Sequence, residues 1–146
     1  MASGKLSAAD YEALAEFRHR IRQFFRFSED AARRAGLNPQ QHQLLLALKG
    51  LPKAVEPNVG EIAERLYIRH HSAVELIERL VRKGLIRKQR GNEDRRHVLL
   101  EVTARGERML QKLSLPHREQ LESMAPGLIK ALNKVITENI EPHEKR

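Results

Sequence analysis

Residues 61–102 constrain this chain more than any other stretch, and at their centre is the segment 69–84. Ala73, Leu76, Ile77 and Leu80, with Val81 at the edge, recur at helical spacing and make one apolar stripe. The other side carries His70, Ser72, Glu75, Arg79, Arg82 and Lys83. Gly84 suits a C-terminal stop, and Arg82 and Lys83 fall in the last turn, where cations suit the helix dipole. A shorter amphipathic segment, 59–66, precedes it. Two β-prone runs, 85–90 and 97–102, follow, separated by the polar tip 91–96. Helix, turn, helix, then a hairpin with a basic tip is the order of a winged helix-turn-helix. In that motif the second helix reads duplex DNA and the wing clamps the backbone.

Charge agrees with that placement. Residues 69–96 hold nine Lys and Arg against four acids, a net +5 of the chain's formal +8. Concentrated positive charge on this motif is what phosphate neutralisation requires.

The remaining chain is helical and apolar. Ser7 and Asp10 can cap a long helix over 8–35 with Tyr11, Leu14, Phe17, Ile21, Phe24 and Phe25 at helical spacing. Five of the six aromatics lie in that helix, so it needs a large apolar partner. Asn38-Pro39 restarts a helix ending before Gly50, with Leu44, Leu45 and Leu48 inward. Two prolines make 51–58 a loop, and Asn58 can cap the next helix. After the wing Thr103 caps a helix that Pro116 should kink or break, and Ala125-Pro126-Gly127 should start a last helix. Its inward set is Leu128, Ile129, Leu132, Val135, Ile136 and Ile140. A winged helix of about 65 residues cannot cover these outer helices, so packing against the same helices of a second chain is expected. The expected fold class is mostly α, an α+β winged helix flanked by dimerisation helices. Residues 1–36, 37–103 and 104–146 are the N-terminal helix, the DNA-binding lobe and the C-terminal helices of one intertwined domain.

The absence of cysteine excludes a disulfide framework, a thiolate zinc site and thiol redox sensing. No apolar run approaches the roughly 18 residues of a membrane span, and the N-terminus has no secretory apolar region. A soluble cytoplasmic protein is expected.

Ile62-Ala-Glu-Arg-Leu66, Leu80-Val-Arg-Lys-Gly-Leu-Ile-Arg87, Asp94-Arg-Arg96 and Val102-Thr-Ala-Arg-Gly106 together resemble the multiple antibiotic resistance regulator (MarR) family of bacterial transcription factors. The resemblance spans nearly the whole chain, and the Asp-x-Arg wing followed by Val-Thr-x-x-Gly is its most specific part. It implies a homodimeric, ligand-responsive repressor on a pseudo-palindromic operator. It also implies that Arg96 enters the minor groove, that Asp94 holds Arg96 in place, and that Arg95 meets a phosphate. Base edges fall to Arg69, His70, Ser72 and Glu75, and phosphates to Arg79 and Arg82. Arg69 stands where family members often have a capping Ser or Thr, and the 51–58 loop is longer than usual.

The resemblance further implies a pocket between dimerisation and DNA-binding regions for a small aromatic or anionic effector, with Tyr11, Phe17, His19, Arg20 and His42 as candidates. Some relatives sense zinc through histidines of the second and fifth helices, which would be His42 and His117 here. Core packing is the competing role for each of these residues. A constitutive or architectural DNA-binding protein is a further alternative. An enzyme is not expected: Glu16–His19 has Glu-x-x-His spacing once where a di-metal site needs it twice. His70 and His71 project about 100° apart on a helix and cannot share one ion. No cofactor is called for. An RNA module would need stacking aromatics on the wing strands, which have none.

Overall fold

Local side-chain chemistry sets the helix starts. Asp10 accepts the Ser7 backbone N–H at 2.7 Å and Ser7 Oγ accepts that of Asp10 at 3.1 Å, a reciprocal cap at the start of α1 (Ala8–Arg34). Asn38 Oδ1 accepts the Gln40 N–H at 2.8 Å, Gln41 Oε1 accepts the Asn38 N–H at 3.0 Å, and Pro39 opens α2 (Pro39–Lys49). Asn58 Oδ1 accepts the Glu61 N–H at 2.8 Å and starts α3 (Val59–Leu66). The computed structural model describes residues 4–90 and 98–140.

Between α3 and α4 (His70–Arg82) the chain turns through Tyr67, which ends α3 in the left-handed conformation, φ 54° and ψ 42°. The Tyr67 N–H bonds Glu64 O at 3.1 Å and the Ile68 N–H bonds Ala63 O at 3.0 Å, closing the last turn as helix ends with glycine do. A tyrosine in that conformation costs about 1 kcal/mol. Helix α4 stops at Lys83, followed by Gly84 at φ +74°.

Strands β1 (Ile86–Arg90) and β2 (Val98–Val102) pair antiparallel, with Ile86 opposite Val102 and Arg90 opposite Val98. The outer edge of β2 is met by the loop between α2 and α3, where the Leu100 N–H donates to Pro57 O at 2.8 Å.

Beyond β2 the structure departs from the expectation of a break. A single helix, α5 (Ala104–Ile140), runs through both Pro116 and Pro126. Each proline forfeits one backbone bond and crowds the preceding turn, at about 3 kcal/mol in a helix interior. Packing on either side holds the path: Leu110 and Leu113 are buried before Pro116, and Ala131 is buried after Pro126.

The chain divides into two compact units, one of residues 29–115 and one of 1–28 with 116–146. In the first, Leu44, Leu45, Ile62, Ile77, Leu80, Leu85 and Ile86 are almost wholly buried, with Leu100, Leu110 and Leu113 completing the core. Each such leucine or isoleucine contributes about 1.5–3 kcal/mol. The second unit buries mainly small side chains, Ala13, Ser28 and Ala131. Much of its apolar face, the face expected to point inward, stays open in the single chain: Tyr11, Leu14, Phe25, Leu121, Ile129, Leu132 and Ile136 are all exposed.

Candidate nucleic-acid interface

Helix α4 buries Ala73, Leu76, Ile77 and Leu80 against the lobe core. With about 3.6 residues per turn, the line diametrically opposite that stripe runs through His71, Glu75 and Arg82. All three are exposed. Ser72, half-buried, and Arg79, exposed, flank the line on one side and Glu78, half-buried, on the other, while His70, exposed, lies about 110° round from it. The helix therefore presents the expected polar face, with one addition. His71 lies at its outward centre, a place the spacing of the buried stripe already implies.

Arg69 occupies the cap position of α4 with no side-chain hydrogen bond to the helix. The first-turn N–H groups thus add positive polarisation beside the Arg69 charge.

Of the seven Lys and Arg between residues 69 and 90, three are held by partners within the lobe. Lys83 Nζ donates to Gly36 O at 3.1 Å and to Gln41 Oε1 at 3.2 Å, which ties the end of α4 to the start of α2. Arg87 pairs at 2.8 Å with Glu101, its cross-strand neighbour, which also accepts from Gln89, and Lys88 pairs with Glu78 of α4. These three cations serve the lobe. Arg69, Arg79, Arg82 and Arg90 are exposed and make no ion pair among the described residues. Asp94, Arg95 and Arg96 lie outside the described residues.

The wing is fastened to α4 by Thr103. Its N–H donates to Leu85 O at 3.0 Å and its hydroxyl donates to Gly84 O at 2.6 Å. The same oxygen accepts the Gly106 N–H at 3.0 Å and so caps α5. Gly106 is required by closeness: a Cβ there would stand 2.2 Å from Leu85 O. The Val-Thr-x-x-Gly pattern is thus the joint that sets the wing relative to the helix before it.

Residues 35–97 match the model of the MarR family. The structure is similar to that of a MarR family transcription regulator, at 20% identity over 88% of this chain and 85% of that one, TM-score 0.71. It is similar to AbsC, a MarR family transcriptional regulator from Streptomyces coelicolor, at 18% identity over 94% and 98% of the two chains, TM-score 0.71. The S. aureus MepR–DNA complex matches at 16% identity over 93% and 95%, TM-score 0.67. The fold is that of the MarR family. No curated protein matches the sequence.

The effector candidates fall into both units. Tyr11 and His19 are exposed, and Phe17 and Arg20 half-buried, in the unit of α1 and α5; His42 is buried in the lobe. Arg20 lines a cavity of about 430 Å³, with Glu12, Glu16, Gly127, Lys130 and Lys134 among its walls. Its guanidinium pairs with Glu16 at 2.8 Å and lies over Gly127, where a Cβ would be 3.1 Å from it. His117 bonds Ser28 Oγ at 2.9 Å and meets the rings of Phe24 and Phe27 edge-on, at 6.1 and 5.3 Å. His42 and His117 belong to different units. Among the described residues no group of three or more His, Asp or Glu could hold a metal, and no helix is long and apolar enough to cross a membrane.

Proposed function

We propose that this chain is a DNA-binding transcriptional regulator, a ligand-responsive repressor that acts as a homodimer. The observation that carries the reading is the outward face of α4, where His71, Glu75, Arg82, Ser72 and Arg79 stand clear of the core on a helix held firmly beneath. Solved relatives of the same fold include a DNA complex. In this reading Glu75 accepts from cytosine N4 and, with Ser72, His70 and His71, reads base edges, while Arg79 and Arg82 neutralise phosphates. The wing residues Asp94 and Arg96 are assigned to the minor groove, and Arg95 to a phosphate.

Glu75→Ala should change base preference at one position of each half-site. Arg82→Ala should weaken all duplexes alike and reduce the salt slope by about one. Binding titrations over salt concentration, on a selected site and its single-base variants, separate the two effects. Indifference of base preference to Glu75→Ala would remove α4 from the readout.

The open apolar face of the α1–α5 unit supports the dimer, which would place two α4 helices on half-sites about one turn, roughly 10 bp, apart. The cavity at Arg20, whose charged walls are Arg20, Lys130 and Lys134 against Glu12 and Glu16, a net of one positive charge, is the site this reading assigns to a small aromatic or anionic effector. Such a molecule can act only through unequal affinity for DNA-competent and DNA-incompetent dimers, typically worth about 1–3 kcal/mol. Phenolic acids titrated against the DNA-bound protein should lower DNA affinity by roughly tenfold, and Arg20→Ala should abolish the response; an unchanged response in that variant would place the effector elsewhere.

A further inference from the structure

We infer that Tyr67 is a backbone contact of the helix-turn-helix, its phenol donating a hydrogen bond to a phosphate oxygen beside the groove that α4 enters. The inference rests on the duplex-binding reading above and adds to it a residue outside the helix face. Tyr67 is 96% exposed, more than any other large apolar side chain described. It is also the chain's only aromatic outside α1. Its left-handed backbone is one that glycine adopts without strain, and the two hydrogen bonds closing α3 are made by main-chain atoms a glycine would also supply. Neither the helix end nor the core therefore calls for a tyrosine here.

The surroundings indicate what does. Along residues 65–71 the exposed side chains are Arg65, Tyr67, Arg69, His70 and His71, with no Asp or Glu among them. Leu66 and Ile68 are half-buried between them and hold the turn to the lobe. An aromatic ring with a polar tip, interleaved with cations at the start of α4, fits a sugar–phosphate strand. The ring can cover a deoxyribose while the hydroxyl reaches a phosphate, and such contacts set register without reading sequence. Tyr67 is in this sense a positioning residue.

The test uses Tyr67→Phe and Tyr67→Gly in the full chain. Binding is followed by fluorescence anisotropy on two duplexes of about 30 bp, long enough for two half-sites one turn apart. One is of random sequence and the other is selected from a random library by the wild-type protein. Tyr67→Gly, relieved of the backbone strain, should melt no lower than the wild type and bind both duplexes about tenfold more weakly. Tyr67→Phe should bind both about fivefold more weakly, with the ratio between the duplexes and the salt slope unchanged. A glycine variant that binds both duplexes as tightly as the wild type overturns the contact. A phenylalanine variant that alters the ratio overturns the phosphate assignment in favour of base reading. Failure of the wild type to bind either duplex overturns the duplex-binding reading itself, and this inference with it.

Discussion

Gly106→Ala is expected to destabilise the lobe by about 3 kcal/mol, read as a shift of the urea midpoint without a change of slope. The added Cβ would stand 2.2 Å from Leu85 O and 2.7 Å from Val102 Cγ1, both far inside contact distance. A backbone carbonyl cannot rotate away as a side chain would, so α5 must part from the β1 start. The Thr103 N–H bond to Leu85 O at 3.0 Å stretches with it. Overpacking of this kind costs about 1–3 kcal/mol, and the strained hydrogen bond adds about 1 kcal/mol. Gly60→Ala is the matched control. It lies inside α3, and its Cβ would meet only Asn58 Oδ1, at 3.4 Å, so it should stabilise by up to about 1 kcal/mol through helix propensity. Equal stability of the two variants would refute the role assigned to the Thr103–Gly106 joint.

Ile129→Glu is expected to have the largest effect on DNA affinity, although it lies far along the sequence from α4. Ile129 is 57% exposed in the single chain, and Leu132 and Ile136 continue its face at helical spacing. In the proposed dimer the substitution puts two carboxylates into an apolar interface, each at a penalty of several kcal/mol. The protein should then elute as a monomer with its helical circular dichroism retained. Because the second half-site no longer adds to the first, affinity for the selected duplex should fall at least about a hundredfold. A variant that stays dimeric and binds normally would place the interface elsewhere.

What could be read from the sequence was what depends on near neighbours. Asn38, Asn58, Ser7 and Thr103 announce their helices because a cap is satisfied within three residues, and all four act as the pattern predicts. The α4 stripe was legible for the same reason, since its period needs no knowledge of the partner surface. Pro116 misled because its local cost is plain in the sequence, whereas the packing of Leu110 and Leu113 that outweighs it comes from distant residues. The charge count overstated the cations available to a ligand. Only the folded chain brings Lys83 to Gly36, Arg87 to Glu101 and Lys88 to Glu78. His71 carries no motif signal of its own, and only the buried stripe of Ala73, Leu76, Ile77 and Leu80 places it diametrically outward. The effector candidates were drawn from two segments that fold into different units, and spacing along a chain carries no information about such a grouping.

The bond from Leu100 to Pro57 O has a consequence for how copies of this protein coexist. A two-stranded sheet exposes two rows of backbone donors and acceptors, each a template on which another chain's strand could grow. On the β2 side the loop between α2 and α3 lies over that row, and its prolines, Pro52 and Pro57, have no N–H with which to continue a ladder. The loop occupies the edge without extending the sheet. If protomers stand side by side on one duplex, as the proposed function requires, their wings can come close together with this route to strand-to-strand aggregation closed.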